Sequence, residues 1–410
     1  MIRDYDIVCL STSPWQAPYG SRQELMVRLA RENRVLFVEP QVSWLHPLRY
    51  RRLRRSAGWR PGRLRALGDR LWVYTPTLGL PGGLLVGAVN RWNQWRLRRT
   101  LRGVMRQLGF TRTLLWIYPP YAAPLVGHLG EVFSVYHCID AFDQEQSNGR
   151  YQWWMSEYER QLVAHCHLVM ACSSQLCDKL KRWRPDVLFL PPGVDVATFN
   201  DTRRLQQPEE LRGAARPVLG YAGSIDHRVD LELVERAARA FPRGTVLLVG
   251  PIHERVQIRR LQQVPNIRLL GAKPKEALPA YLQHMDVCLI PYRVTSFTQV
   301  ILPLKFFEYV AMGRPIVSTL LPELRPYATA VRLARNGDEF IAAIRSTLEQ
   351  EAVQSTNGSS RGGRSLASWD DQVERISAAI EERLTSPGTS RDDQRAQQDA
   401  VTASSREEMS

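Results

Sequence analysis

Short apolar runs alternate with amphipathic segments along the first half of the chain. The apolar runs have the length of buried strands, and the amphipathic segments at 22–31 and 151–166 have helical spacing. We predict strands at 6–10, 34–40, 71–75, 113–118, 131–137, 168–172 and 187–190. Strands that alternate with helices are typical of an open α/β sheet with parallel strands.

The same alternation begins again after a polar stretch. Residues 197–216 contain Pro208 and two adjacent glutamates, and they have the composition of a linker. Further strands are predicted at 218–224, 245–251, 267–271 and 287–291, with a helix from Leu231. Two such arrays predict two similar domains, and open α/β sheets bind ligands at the carboxyl ends of their strands. A cleft between the two sheets is therefore the expected site.

These patterns divide the chain. The hydrophobic pattern fades after about residue 343, and an amphipathic helix returns at 369–384 after a plausible cap at Ser368. We predict a first Rossmann-like domain at 1–199, a linker at 200–216, a second Rossmann-like domain at 217–350 and a C-terminal helix at 366–385. The polar residues 386–410 have a composition typical of disorder.

The segment 303–319 is the most informative one. It predicts a short helix that begins at Pro303, ends at Gly313 and leads into a strand at 316–319. Its apolar positions share one face: Leu304, Phe307, Val310 and Ala311.

Two charged residues of this helix suggest a ligand. Lys305 and Glu308 lie three residues apart, so they share a face near the positive end of the helix dipole. A helix start with a lysine can take phosphate, and the carboxylate of Glu308 can accept a hydrogen bond from a ribose hydroxyl. The alternative is an ordinary amphipathic helix that carries a surface ion pair.

Composition narrows the class of protein. The 410 residues are 44% hydrophobic and 23% charged, as in a globular protein with a real core. There is no run of 18 apolar residues, and the chain start has acids where a signal peptide needs a basic region, so we expect an intracellular protein. The six cysteines form no Cys-x-x-Cys pair, and we expect them to be small buried hydrophobes rather than a zinc site built on residues 165–172.

The net charge of +14 is concentrated in two places. Residues 49–65 hold eight arginines and no acid, and residues 91–106 repeat the pattern with Trp92 and Trp95. Such patches suit anionic lipid headgroups, and nucleic acid or a merely solvated surface are the alternatives. Because there is no nucleic-acid motif, we favour the membrane. The candidate membrane or acceptor surface consists of Arg51, Arg52, Arg54, Arg55 and Trp59.

The Pro-Leu-Lys-x-x-Glu-Tyr segment at 303–309 resembles the donor-binding helix of retaining GT-B glycosyltransferases of family 4. This form of the motif resembles that of a subgroup of exopolysaccharide and cell-wall transferases. Many members carry two glutamates separated by seven residues, and Glu308 matches the second, which holds the nucleotide ribose. Val300 stands in place of the first, which normally contacts the sugar.

The resemblance extends through spaced segments of residues 1–385. It implies donor contacts in the loop at Gly20 and Ser21, in the turn at Gly223, Ser224 and Arg228, and at Lys273 beside the nucleobase. It implies that His137 and Asp140 touch the transferred sugar. Trp369 matches a tryptophan that opens a final helix, which crosses back to the first domain.

The resemblance also implies a function. The expected reaction moves a sugar from a nucleotide-diphosphate donor to a lipid-linked or glycan acceptor, with retention and without a metal or other cofactor. The expected location is the cytoplasmic face of the membrane, and no nucleic-acid partner is expected. Two alternatives remain open: a non-catalytic GT-B protein that binds nucleotide sugar, and a nucleotide-sugar epimerase.

Overall fold

The structure is a computed structural model that describes residues 1–16, 19–45, 60–144, 149–200, 204–254, 256–356 and 366–385. Within these ranges the chain forms two open α/β units, each built on one sheet. The predicted surface at Arg51, Arg52, Arg54, Arg55 and Trp59 lies outside the described residues, as does the predicted tail at 386–410.

The first unit contains an eight-stranded sheet in the order β3-β4-β2-β1-β5-β6-β7-β8. All neighbouring strands are parallel except β3 and β4, which pair antiparallel at one edge. Its strands are β1 (Asp6–Leu10), β2 (Arg34–Val38), β3 (Arg63–Ala66), β4 (Leu71–Thr75), β5 (Thr113–Ile117), β6 (Phe133–Cys138), β7 (Leu168–Ala171) and β8 (Leu188–Phe189). Its helices are α1 (Ser21–Leu29), α2 (Gly87–Gln107), α3 (Gly149–His165) and α4 (Ser174–Lys181).

The second unit contains a six-stranded parallel sheet in the order β11-β10-β9-β12-β13-β14. Its strands are β9 (Val218–Ala222), β10 (Thr245–Val249), β11 (Ile267–Gly271), β12 (Val287–Ile290), β13 (Ile316–Thr319) and β14 (Arg332–Ala334). Its helices are α5 (Leu231–Ala240), α6 (Arg259–Gln262), α7 (Leu278–Gln283), α8 (Ser296–Gln299), α9 (Leu304–Ala311) and α10 (Gly337–Thr356).

A final helix, α11 (Trp369–Thr385), returns to the first unit. Its buried face, formed by Trp369, Val373, Ile376 and Ile380, lies in the same core as β1 and α1. The backbone of Val194 exchanges hydrogen bonds with Ala367 and Trp369, which fastens the entry to this helix. The final helix therefore packs against the first unit.

Several sequence predictions need correction. The strand β3 was missed, because two of its four residues are arginines in a segment that resembles a solvated basic patch. The pattern does not end near residue 343, since Phe340 and Ile344 anchor the long helix α10 in the second core. Val194 and Phe199, which we assigned to the first domain, pack in the core of the second unit.

The buried face of α9 also differs from the prediction. Phe306, Tyr309 and Met312 are fully buried, whereas Leu304 and Val310 are only partly so. The Tyr309 hydroxyl accepts a hydrogen bond from the Ala222 N–H (2.8 Å) at the end of β9. Gly313 has the positive φ of +58° expected of a residue that ends a helix. The helix is thus fixed to the sheet with its first turn at the carboxyl ends of the strands.

Candidate active site

A cavity of about 590 Å³ lies between the two units, at the carboxyl ends of both sheets. Loops that follow β6 in the first unit and β9 and β10 in the second contribute to its wall. Every predicted catalytic or donor-binding residue lines it: Gly20, Ser21, His137, Asp140, Gly223, Ser224, Arg228, Lys273, Lys305 and Glu308. Residues that are up to 288 positions apart in sequence therefore meet at one site, as the strand topology predicts.

Lys305 is the best-positioned cation in this wall. Its Nζ donates to the hydroxyls of Tyr292 (2.7 Å) and Tyr221 (3.1 Å), and it also lies over both tyrosine rings. The side chain is buried, and it forms no ion pair with any acid of the described residues. Its charge is thus held in place by neutral groups and remains available to an anionic ligand.

Two glycines make room beside this lysine. Gly223 has a φ of +144°, and a Cβ there would lie 2.8 Å from the Lys305 Nζ. Gly250 has a φ of +150°, and a Cβ there would lie 1.9 Å from the Gly223 carbonyl oxygen. A side chain at Gly250 would collide with backbone, and one at Gly223 would adopt a strained φ and displace the end of the Lys305 side chain. The close approach of backbone and lysine therefore depends on glycine.

Glu308 lies one turn further along α9, and its carboxylate faces the cavity. Burial raises its pKa to about 7, although Lys305 and Lys275 act in the opposite direction. A carboxylate at this position would gain from a hydroxyl donor supplied by a ligand, because such a bond favours the ionised form.

We expect the pH dependence of donor binding to follow Glu308. If a ribose hydroxyl donates to the carboxylate, affinity should rise about tenfold between about pH 6 and about pH 8, as Glu308 loses its proton. Glu308→Gln keeps the shape but does not titrate, so it should bind weakly with little pH dependence. Calorimetry at the two pH values measures both. An unchanged slope in Glu308→Gln would remove this residue from the donor site.

Protein stability should depend on Glu308 in the opposite direction. Because the folded-state pKa is raised from an ordinary value of 4.5 to about 7, the contribution of this group to stability is complete below 4.5. That contribution is lost as the pH rises through about 7.

The turn after β9 carries Arg228 in a fixed orientation. Its guanidinium forms a paired contact with Asp226, through Nε (2.9 Å) and Nη2 (2.5 Å). In the same turn, the backbone carbonyl oxygen of Ser224 accepts a hydrogen bond from the Tyr221 hydroxyl (2.7 Å). Lys273 lines the cavity, but its Nζ is bonded to Glu210 of the linker (2.5 Å), so it lies at the rim.

His137 is buried at the opposite wall. Its ring packs on Tyr118, with the centroids 5.1 Å apart, and its Nδ1 has no hydrogen-bond partner among the described residues. Burial, together with the charge of Arg22, lowers the pKa of His137 to about 3. The imidazole is therefore neutral at physiological pH, and it can form a hydrogen bond with a ligand but does not supply a cation. Asp140 lines the cavity two residues after β6 ends.

The loop before α1 also lines the cavity on the side of the first unit. Gly20 caps the helix in an extended conformation, and its N–H donates to the Gln23 side chain (3.2 Å). Arg22, which sequence inspection missed, also lines the cavity and donates to the Thr12 hydroxyl (2.9 Å).

A second missed feature is a charged junction between the units. Lys275, in the cavity wall, bonds to Glu24 of α1 and to Asp195 (2.5 Å), which precedes the linker. Arg28 pairs with the same Glu24 and with Asp370 of α11 (3.2 Å). Burial acts to raise the pKa of Asp195, yet the hydrogen bonds from Lys275 and Thr198 leave it below the ordinary value. This junction, which we call the interdomain charge cluster, connects both units at the cavity edge.

Neither a zinc site nor a disulfide forms in the described part of the chain. All six cysteines are free, and no three His, Cys, Asp or Glu side chains there group as metal ligands. Val300 stands where the family resemblance expects the first glutamate. Its side chain packs against the core of the first unit, while Ile301 and Leu302 line the cavity.

Comparisons with known proteins agree with this architecture. Residues 216–350 match the family model described as glycosyl transferases group 1. Over 282 residues the chain is 28% identical to TuaH of Bacillus subtilis (strain 168), which is named as a teichuronic acid biosynthesis glycosyltransferase; the match covers 63% of this chain and 69% of TuaH. The chain is a glycosyltransferase. Its residues 216–350 form a domain of the group 1 type, and the enzyme depends on a nucleotide-sugar donor.

Solved structures identify the fold of the glycosyltransferase as GT-B. Sucrose-phosphate synthase from Thermosynechococcus elongatus superimposes with a TM-score of 0.66 at 15% identity, over 92% of this chain and 98% of that one. Anabaena HepE, solved with UDP and glucose, gives 0.61 at 13% identity, over 92% and 100% of the two chains.

Proposed function

We propose that the glycosyltransferase moves a sugar from a nucleotide-diphosphate donor to a lipid-linked or polysaccharide acceptor, with retention at the anomeric carbon. The observation that carries the proposal is the first half of α9, where Lys305 and Glu308 line the cavity, with Lys305 beside Gly223. The name of TuaH, which refers to teichuronic acid biosynthesis, supports a polymer or lipid-linked acceptor.

The residues present suit departure of a nucleoside diphosphate. As the bond between the anomeric carbon and the β-phosphate oxygen breaks, negative charge grows on the diphosphate. Lys305, Arg228 and the N-terminus of α9 can stabilise that charge, and we propose that they do so in place of a metal. The acceptor hydroxyl forms the new bond, and its proton passes to the departing phosphate.

The acids of the cavity wall favour front-face attack. Among the described residues that line it, Asp140 and Glu308 are the carboxylates, and they come from opposite units. We assign Glu308 to the ribose, so that no pair of carboxylates is left to flank the sugar as in a glycosidase. Attack from the side of the leaving group then preserves the anomeric configuration. The neutral imidazole of His137 and the side chain of Asp140 would position the sugar.

The test is transfer itself. The protein would be incubated with labelled UDP-, GDP- and ADP-sugars and a bacterial envelope lipid extract, and the label followed into lipid and polymer fractions. We expect label in one of them, with the anomeric configuration of the donor by NMR. Epimerised donor without acceptor would identify an epimerase, and tight binding without turnover would identify a non-catalytic protein. An inverted product would overturn the retaining mechanism.

We further propose that the enzyme works as a peripheral protein at the cytoplasmic face of the membrane, where lipid-linked acceptors are found. No helix among the described residues combines the length and apolar character needed to cross a bilayer. Attachment would then depend on a surface of the folded protein.

A further inference from the structure

Exposed hydrophobic side chains are concentrated on one part of the first unit. In the described part of the chain, fifteen large hydrophobic residues are exposed. Eight of these lie in three segments, at 44–45, 80–95 and 153. They are Trp44, Leu45, Leu80, Leu84, Val86, Trp92, Trp95 and Trp153, and Trp153 is the most exposed at 60%. Soluble proteins rarely group such residues unless the surface binds something.

Hydrogen bonds and packing join these segments. The N–H of Trp44 donates to the Gly79 carbonyl (3.0 Å), which places Trp44 beside Leu80. The N–H of Leu80 donates to the Asn93 side chain on α2 (2.7 Å).

The third segment, at Trp153, contacts the start of α2 through the neighbouring Trp154. Trp154 packs so closely on Gly87 that a Cβ there would lie 2.1 Å from its ring. Trp153 is in edge contact with Trp154 at 4.6 Å between centroids. The three segments therefore converge around the N-terminal half of α2.

The charged side chains of α2 are all positive. The helix carries six arginines and no acid. Arg96 lies over the ring of Trp92 (5.0 Å) and Arg99 over that of Trp95 (4.2 Å), while the opposite face packs in the core through Leu97 and Leu101. The four arginines exposed along the outer side are Arg91, Arg99, Arg102 and Arg106.

We propose that this docking face, formed by the eight hydrophobic residues and the exposed arginines of α2, rests on an anionic lipid bilayer. Tryptophan rings with adjacent arginines match the interfacial region, where an apolar layer meets negative headgroups. An apolar protein partner would leave the arginine row without counter-charges. The inference rests on the membrane location proposed above and names the surface responsible. That surface belongs to the same unit as His137 and Asp140.

Vesicle flotation tests the docking face. The full-length protein would be mixed with vesicles of equal parts phosphatidylcholine and phosphatidylglycerol, and with pure phosphatidylcholine vesicles. An arginine variant would carry Arg99→Gln, Arg102→Gln and Arg106→Gln, and an aromatic variant Trp92→Ser and Trp95→Ser. The matched control is Arg182→Gln with Trp183→Ser, because Trp183 is equally exposed (38%) beside an exposed arginine elsewhere on the same unit.

We expect the wild type and the control to float with anionic vesicles at low salt, and to float less at high salt. Each arginine near such a surface contributes roughly fivefold to partitioning, so the arginine variant should lose roughly 100-fold. The aromatic variant should bind weakly at both salt concentrations. Donor binding, measured by calorimetry without vesicles, should stay unchanged in all variants, because none of the changed residues lines the cavity. This readout separates the test from that of the proposed chemistry.

Three results would overturn the inference. Undiminished flotation of both variants would place attachment on another surface and leave the membrane location standing. A wild type that does not float would remove the membrane location and the docking face together. Tighter, salt-sensitive binding to DNA or RNA than to vesicles would assign the arginines to nucleic acid.

Discussion

Lys305→Met is expected to lower the affinity for a nucleotide-diphosphate sugar by roughly 10- to 150-fold. A hydrogen bond to a charged group is worth about 1.5–3 kcal/mol, and about 1.4 kcal/mol corresponds to tenfold. Methionine retains the bulk of the side chain between Gly223 and the two tyrosines but removes the positive charge. Calorimetric titration measures the change.

The free nucleoside provides the internal control for this variant. It lacks the diphosphate, so its affinity should change little in Lys305→Met. Equal losses for nucleoside and diphosphate sugar would mean that the variant disturbs the cavity as a whole. In that case Lys305 would not be the diphosphate cation.

Lys275→Met is expected to destabilise the protein by about 3 kcal/mol, at the lower end of the range for breaking a buried ion pair. The change leaves Glu24 and Asp195 without their shared cation, although Arg28 continues to neutralise part of their charge. Because Lys275 joins the two units, donor affinity should also fall. Thermal unfolding, with and without nucleotide sugar, measures both effects.

Lys273→Met is the matched control, since it removes the same charge two residues earlier. Its bond to Glu210 lies at the surface, where an ion pair contributes little to stability. We expect nearly unchanged unfolding in this control. Equal destabilisation by both variants would show that the interdomain charge cluster has no special role.

The strands of both sheets were largely predictable. The strand β1 lies where the sequence predicts it, because buried parallel strands are continuous apolar runs. The helix α5 also begins at Leu231, as predicted. The strand β3 was not predictable, since Arg63 and Arg65 become part of a sheet only by pairing with β4. Pairing of this kind depends on a partner strand and not on the local pattern.

The site was predictable where a short motif carries it. Lys305 and Glu308 share a face of one helix, and spacing alone placed them together. The interdomain charge cluster was not predictable, because Glu24 and Lys275 are 251 positions apart and no local spacing relates them. The buried face of α9 was predicted wrongly because the helix packs on the sheet through Tyr309 as well as through its apolar residues.

The central claim is that the donor binds in the interdomain cavity at the start of α9, and hydrogen exchange tests it most directly. The nucleotide sugar that most stabilises the protein in a thermal screen would be added at saturation. The account predicts slower exchange of backbone amides at 220–225 and 304–309, with a smaller effect at 20–25, and loss of this protection in Lys305→Met. Protection confined to other segments, in an enzyme that turns over the same donor, would contradict it.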